Sequence, residues 1–134
     1  MKKLVTLSLI LFTLGCQKTD MDIDYSLPTP EGLVHWDILK VEGEHSVSLN
    51  DTLFLDVYCP RTTSCDYISQ LLPNEHGNRI LIKAFGNSRK NSPCLMFAFP
   101  QVLPYEFVPK NRGHFSLDFI KKDHTIIRFD VNVY

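Results

Sequence analysis

From Leu33 to the C-terminus the apolar residues recur at every second position, in short runs cut by turn residues, and this period dictates strands rather than amphipathic helices. The segment 52–59 shows it best: Leu53, Leu55, Val57 and Cys59 point one way, and Thr52, Phe54, Asp56 and Tyr58 the other. The first set belongs in a core. The same reading predicts strands over 33–41, 52–59, 67–72, 79–85, 95–99, 105–108, 114–120 and 125–133. Gly43, Asn50-Asp51, 74–78, 86–93, Pro100 and 110–113 separate them.

The last two runs predict a hairpin. With Lys121-Lys122-Asp123 as its loop, Ile120 faces His124, Leu117 faces Ile127 and Phe115 faces Phe129. Phe115, Leu117, Phe119, Ile127, Phe129 and Val131 then share one buried face. On the other face His114 stands opposite Asp130 and Ser116 opposite Arg128. Many short strands in about a hundred residues predict an all-β, two-layer antiparallel β-sandwich, with a partly closed β-barrel as the alternative. The chain has room for a single domain of this kind, over 33–134.

The N-terminus is of another kind. Met1-Lys2-Lys3 is followed by an apolar run over 4–14, too short to span a bilayer, and then by Gly15-Cys16. Thr13-Leu14-Gly15-Cys16 resembles the lipobox of bacterial lipoprotein signal peptides, with Thr13 where that family usually has Leu. The resemblance implies a cleaved signal peptide over 1–15, lipidation of Cys16, and a membrane partner reached through that lipid. It places the chain in the cell envelope. Gln17, where Asp would favour the inner membrane, implies the outer one, and the acidic stretch 18–24 resembles the signal that carries some lipoproteins to the cell surface. The segment 16–32, with Pro28 and Pro30, reads as a tether.

A second resemblance concerns the fold. The segment 107–119, F-V-P-K-N-R-G-H-F-S-L-D-F, resembles the F-x-P-x-x-x-G-x-F/Y-x-L-x-F pattern opening a late strand in immunoglobulin-like bacterial sandwich domains. It implies that Gly113 relieves a corner. It also puts Phe115 where the family often has Tyr, without the hydroxyl that a tyrosine corner needs.

Besides Cys16 the chain has Cys59, Cys65 and Cys94, an odd number for an oxidising compartment. Cys59 lies on an inward face and reads as a buried thiol. Cys65-Asp66-Tyr67 followed by Pro93-Cys94 resembles a strand-linking pair in small exported lipoproteins, which implies a Cys65–Cys94 disulfide. Pairing of Cys59 with Cys94 or Cys65 stays open. No C-x-x-C redox spacing occurs.

Charge and motifs narrow the function. The chain has 14 Lys+Arg and 15 Asp+Glu; without Lys2 and Lys3 the balance is 12 minus 15, or −3. No basic stripe is available to displace counterions from phosphates, so nucleic acid is not the expected partner. His35, His45, His76, His114 and His124 are dispersed, and G-x-S-x-G, P-loop and G-x-G-x-x-G patterns are missing. Glu42 and Glu44 flank Gly43 in a turn rather than lining a cleft. These residues predict neither a metal, nor a cofactor, nor catalysis. The candidate ligand residues are Phe54 and Tyr58, joined by Leu81 and Phe85 if Ile80, Ile82 and Ala84 form the inward set. Such a stripe suits a sugar ring or a partner protein, unless the N-terminal segment, Trp36 or the loop 86–93 covers it. The expected function is a membrane-anchored, extracytoplasmic binding module for a protein or glycan, the alternative a structural or accessory subunit of an envelope assembly.

Overall fold

A computed structural model describes residues 27–89, 93–96 and 99–134. The expected signal peptide, Cys16 and the tether as far as Ser26 lie outside the described residues. Every regular element among those described is a strand: β1 (Val34–Trp36), β2 (Lys40–Gly43), β3 (Ser46–Val47), β4 (Leu53–Cys59), β5 (Asp66–His76), β6 (Arg79–Ser88), β7 (Gln101–Phe107), β8 (Gly113–Ile120) and β9 (Ile126–Val133).

They form two sheets. The larger has β6 at its centre and curls into a half-barrel. β5 runs along one edge of β6 from Asp66↔Ser88 to His76↔Arg79. The other edge is shared end to end, by β8 over Arg79↔Ser116 to Ile82↔Phe119 and by β1 over Val34↔Gly86 to Trp36↔Ala84. β9 and β3 follow β8. The smaller sheet has the order β2-β4-β7.

The all-β expectation holds, and the pairing is mixed rather than purely antiparallel. β6 with β8, and β3 with β9, are parallel pairs. The expected first strand, 33–41, is two. Residues 37–39 carry the chain from the larger sheet to the smaller, with Ile38 fully buried between them. β3 then returns to the larger sheet, so the N-terminal segment clasps both.

The final hairpin slips by two residues from its predicted register. Phe115 faces Val131, Leu117 faces Phe129 and Phe119 faces Ile127. The loop is longer than three residues because Lys121 N–H donates to the Thr125 carbonyl at 2.9 Å and His124 adopts a φ of 67°. A slip of two keeps every side chain on its predicted face, so the core is unchanged. It does move the outer pairs: Ser116 now faces Asp130, and Asp118 faces Arg128. His114 faces Asn132 and reaches Asp130 only diagonally, Nε2 to Oδ1 at 3.3 Å.

The expected strand 95–99 does not form in its described part, where Met96 makes one isolated bridge to Thr63. Pro93 and Pro100 flank it, and Pro offers no N–H to a ladder. β5 and β7, by contrast, extend through Pro73 and Pro104, which were expected to lie outside strands. Both are edge strands of their sheets, where a missing N–H costs no ladder bond.

The core lies between the sheets. Leu53, Leu55, Val57, Cys59, Tyr105 and Phe107 meet Ile80, Ile82, Ala84, Phe115, Leu117, Phe119, Phe129 and Val131. Edge-on ring contacts, Tyr105 to Phe119 at 5.8 Å and Phe107 to Phe115 at 5.3 Å, join the layers. Cys59 is buried here as predicted, and burial pushes its thiol up to about 12. A thiol so poorly ionised is a poor nucleophile. Iodoacetamide is therefore expected to leave Cys59 unmodified in the native protein and to modify it in denaturant, as read by peptide mass; rapid native labelling would place Cys59 outside the core.

Gly86 marks the tightest backbone contact. β5 bulges between Ile68 and Gln70, and a Cβ on Gly86 would collide with the Tyr67 carbonyl oxygen and the Ile68 Cα. Both are backbone atoms and cannot swing aside. Gly86→Ala is expected to destabilise the fold by about 1–3 kcal/mol, the range for overpacking a closed site, as a lower urea midpoint. An unchanged midpoint would mean that the bulge gives way freely.

Candidate functional site

Alternation along β4 turns Leu53, Leu55, Val57 and Cys59 into the core and Phe54, Asp56 and Tyr58 outward. The ladders on either side bring matching residues to the same outer face. Lys40, Tyr58 and Val102 form one row, Glu42, Asp56 and Pro104 the next, and Phe54 stands beside Glu106. The face is therefore a flat plate, apolar at two points and acidic between them.

Its two aromatic rings differ. Tyr58 is half-buried: Lys40 Nζ lies 4.3 Å over its ring centroid and also donates to Glu42 Oε1 at 2.7 Å. The Tyr58 hydroxyl donates to the same carboxylate, which raises the Tyr58 pKa above its ordinary value. The hydrogen bonds from Lys40 and Tyr58 hold Glu42 below its own. Phe54 has no such cover and is 60% exposed. It is the main apolar feature of the plate, with Val102 and Pro104 exposed on the neighbouring strand.

Leu81 and Phe85 do not join it. Ile80, Ile82 and Ala84 are the inward set of β6, as the alternation predicts, so Leu81 and Phe85 do point outward, but from the other sheet. They are also 0% and 1% exposed, not offered to a ligand. The physical reason is the central place of β6. Leu81 is flanked in the sheet by Asn74 and Asp118, and Phe85 by Gln70 and His35, whose ring lies 6.0 Å from that of Phe85. The N-terminal segment, through His35, covers the stripe at that point.

At the far end of the sheets from the Gly77 turn, Trp36, Asp37, Pro60, Thr62, Asp66 and Lys122 line a cleft of about 260 Å³. Its polar groups serve the surrounding loops. Trp36 Nε1–H donates to the Pro60 carbonyl at 2.7 Å, and Asp37 accepts from Lys122 N–H at 3.1 Å. Asp66 accepts from Thr62 N, Thr62 Oγ1 and Thr63 N at 2.8 to 3.0 Å. Burial opposes its ionisation, but those bonds and one from Ser88 outweigh burial and hold its pKa down to about 2. A carboxylate so fully engaged is a loop cap rather than a proton carrier.

The histidines are equally dispersed in space. His35 contacts the Ile120 carbonyl, His45 the Asp130 carbonyl, and His114 the Asn132 side chain. Among the described residues no three His, Cys, Asp or Glu side chains are grouped to hold a metal ion. The sequence reading missed the Asp118 carboxylate, buried between Arg79 and Arg128, because a lone Asp on an outward strand position normally signals solvent. No protein-family model, curated protein or solved structure matches the chain.

Proposed function

We infer that the protein is a lipid-anchored module of the cell envelope, held by Cys16, whose outer β2-β4-β7 face binds an extracytoplasmic glycan or protein without catalysing a reaction. The observation that carries this reading is Phe54, an aromatic ring 60% exposed at the centre of a rigid strand and bordered by Asp56 and Glu106. A sugar presents an apolar C–H face to such a ring and hydroxyl donors to the carboxylates beside it. The sandwich itself is of immunoglobulin-like type. Supporting that are the 107–119 pattern, Gly113 at φ +124° where β8 begins, and the packing of Phe115 on Phe107 in place of a tyrosine corner.

The accessory-subunit alternative asks for an open strand edge on which another chain can continue the sheet. The edges here are blunted. Pro73 interrupts β5, Pro104 interrupts β7, and the Gln101 side chain occupies the Ile68 N–H and carbonyl at 3.0 and 2.8 Å. A face, rather than an edge, is the surface left to recognise a partner.

The test is a glycan array together with crosslinked pull-down from the native membrane, each with wild type and Phe54→Ala. Phe54→Ala is expected to weaken binding at least tenfold, about 1.4 kcal/mol, at unchanged melting temperature. Tyr58→Ala should cost less, since Lys40 already covers that ring. A blank array, with any pulled-down partner retained equally by Phe54→Ala, would overturn the reading.

A further inference from the structure

Three of the most exposed large apolar side chains lie together on the loop between β6 and β7. Leu95 is 75% exposed, Met96 87% and Phe99 70%. The loop is held to the body of the domain. The Cys65–Cys94 disulfide ties it to the start of β5, Ser64 N–H donates to the Leu95 carbonyl at 2.8 Å, and Leu95 N–H donates to Ser64 Oγ at 3.0 Å. Thr63 bridges Met96. An apolar knuckle fixed in this way cannot fold back to bury itself, and its exposure calls for an occupant.

The position of the knuckle identifies one. The chain enters the domain at the same end, where Asn87 Nδ2 donates to the Gly32 carbonyl at 2.7 Å. Asn87 is paired with Tyr67, two residues from Cys65. Upstream of the described residues, Cys16 to Ser26 is a tether of eleven residues. Fully extended it reaches at most roughly 36–40 Å. An anchor at Cys16 therefore draws this end of the domain toward the bilayer. Cations stand around the knuckle: Arg61 Nε–H donates to the Phe99 carbonyl at 3.4 Å, and the Arg89 guanidinium lies 5.6 Å over the Tyr67 ring. Apolar tips with cations and an amphipathic aromatic ring behind them are the composition that seats in the headgroup region of a membrane.

We propose that Leu95, Met96 and Phe99 form a second membrane contact, inserting into the phospholipid surface that holds the lipid anchor and fixing the domain's orientation upon it. The proposal rests on the anchor reading given above. With the knuckle down, the Phe54 plate stands to the side of the domain, clear of the lipid.

The mature protein purified from bacterial membranes would be reconstituted into phosphatidylethanolamine and phosphatidylglycerol vesicles that contain acyl-brominated phosphatidylcholine. Tryptophan quenching is then compared between wild type, whose one tryptophan is Trp36, and the Trp36→Phe/Leu95→Trp variant. Quenching at position 95 is expected to exceed that of Trp36 severalfold, and to fall back when Met96→Ser and Phe99→Ser are added. The mass of the N-terminal peptide reports the anchor separately. Acylated protein in which position 95 is quenched no more than Trp36 overturns the docking and leaves the anchor standing. Protein without acyl chains at Cys16 overturns the reading on which the docking rests.

Discussion

Replacing both Arg79 and Arg128 with Met is expected to destabilise the domain by about 3–5 kcal/mol at neutral pH, the usual cost of stranding a buried charge. Asp118 is fully buried on the outward face of β8. Its Oδ2 accepts from Arg79 Nε at 2.6 Å and Arg128 NH2 at 3.1 Å, and its Oδ1 from Arg128 Nε at 2.8 Å. Burial works against ionisation here; hydrogen bonds and charge attraction from the two arginines overcome it and hold the carboxyl below its ordinary range. Without them the desolvation cost stands alone. Adding Asp118→Leu to the double variant should recover most of the loss, because an apolar side chain in the same space carries no desolvation cost. Urea unfolding of the four combinations measures this, and a double variant as stable as wild type would mean that water reaches Asp118.

The same triad sets a pH dependence. In wild type the folded pKa of Asp118 lies below the unfolded value, so its contribution is complete above about pH 4 and is lost as pH falls through the folded value. Asp66, held down to about 2, adds a loss in the same direction between about pH 4 and pH 2. The Arg79→Met/Arg128→Met variant should respond to Asp118 in the opposite sense. Its buried carboxyl, lacking cations, is expected to have a raised pKa, so the deficit relative to wild type narrows on acidification.

Legibility in the sequence followed the face rather than the partner. Period-two alternation located the core residues of β4, β8 and β9 because a strand with one dry face must alternate. It held even where the register was two residues off, since such a slip preserves facing. β6 resisted the reading for the opposite reason. Six successive residues, Ile80 to Phe85, are buried there. A central strand covered on both faces shows no contrast between them, and Leu81 and Phe85 were taken for an open surface. The parallel β6–β8 pairing joins strands remote in sequence through no local turn, so no short-range signal announces it. Phe54 was legible because it breaks the polar side of a clear alternation. The 95–99 run was misread as a strand because apolar density looks the same in a core and on an exposed tip, and only the three-dimensional position separates them.

The Cys65–Cys94 disulfide, a pairing implied by sequence resemblance, is present, with Cα atoms 5.4 Å apart across a sequence separation of 29. Replacing both cysteines with Ala is expected to destabilise the fold by about 3–4 kcal/mol, the chain-entropy value for a loop of that length. Alanine suits Cys65, which is buried, because a serine hydroxyl there would need a new partner. The disulfide encloses the β5–β6 hairpin, the central part of the larger sheet, so the uncrosslinked unfolded chain gains freedom in the segment that must find both β8 and β1. That freedom should also raise the denaturant dependence, since a chain without the link exposes more surface on unfolding. A fall in midpoint with a modestly steeper slope therefore identifies an effect on the unfolded state. A fall in midpoint at constant slope, with faster hydrogen exchange confined to residues 63–66 and 93–96, would instead assign the loss to the folded loop. An oxidised and a cysteine-free protein of equal stability would show that the unfolded chain already keeps these positions close without the bond. Because Cys59 is buried and poorly ionised, it should not take the place of the missing partner in a single Cys94→Ala variant, leaving Cys65 as the accessible free thiol once the fold loosens.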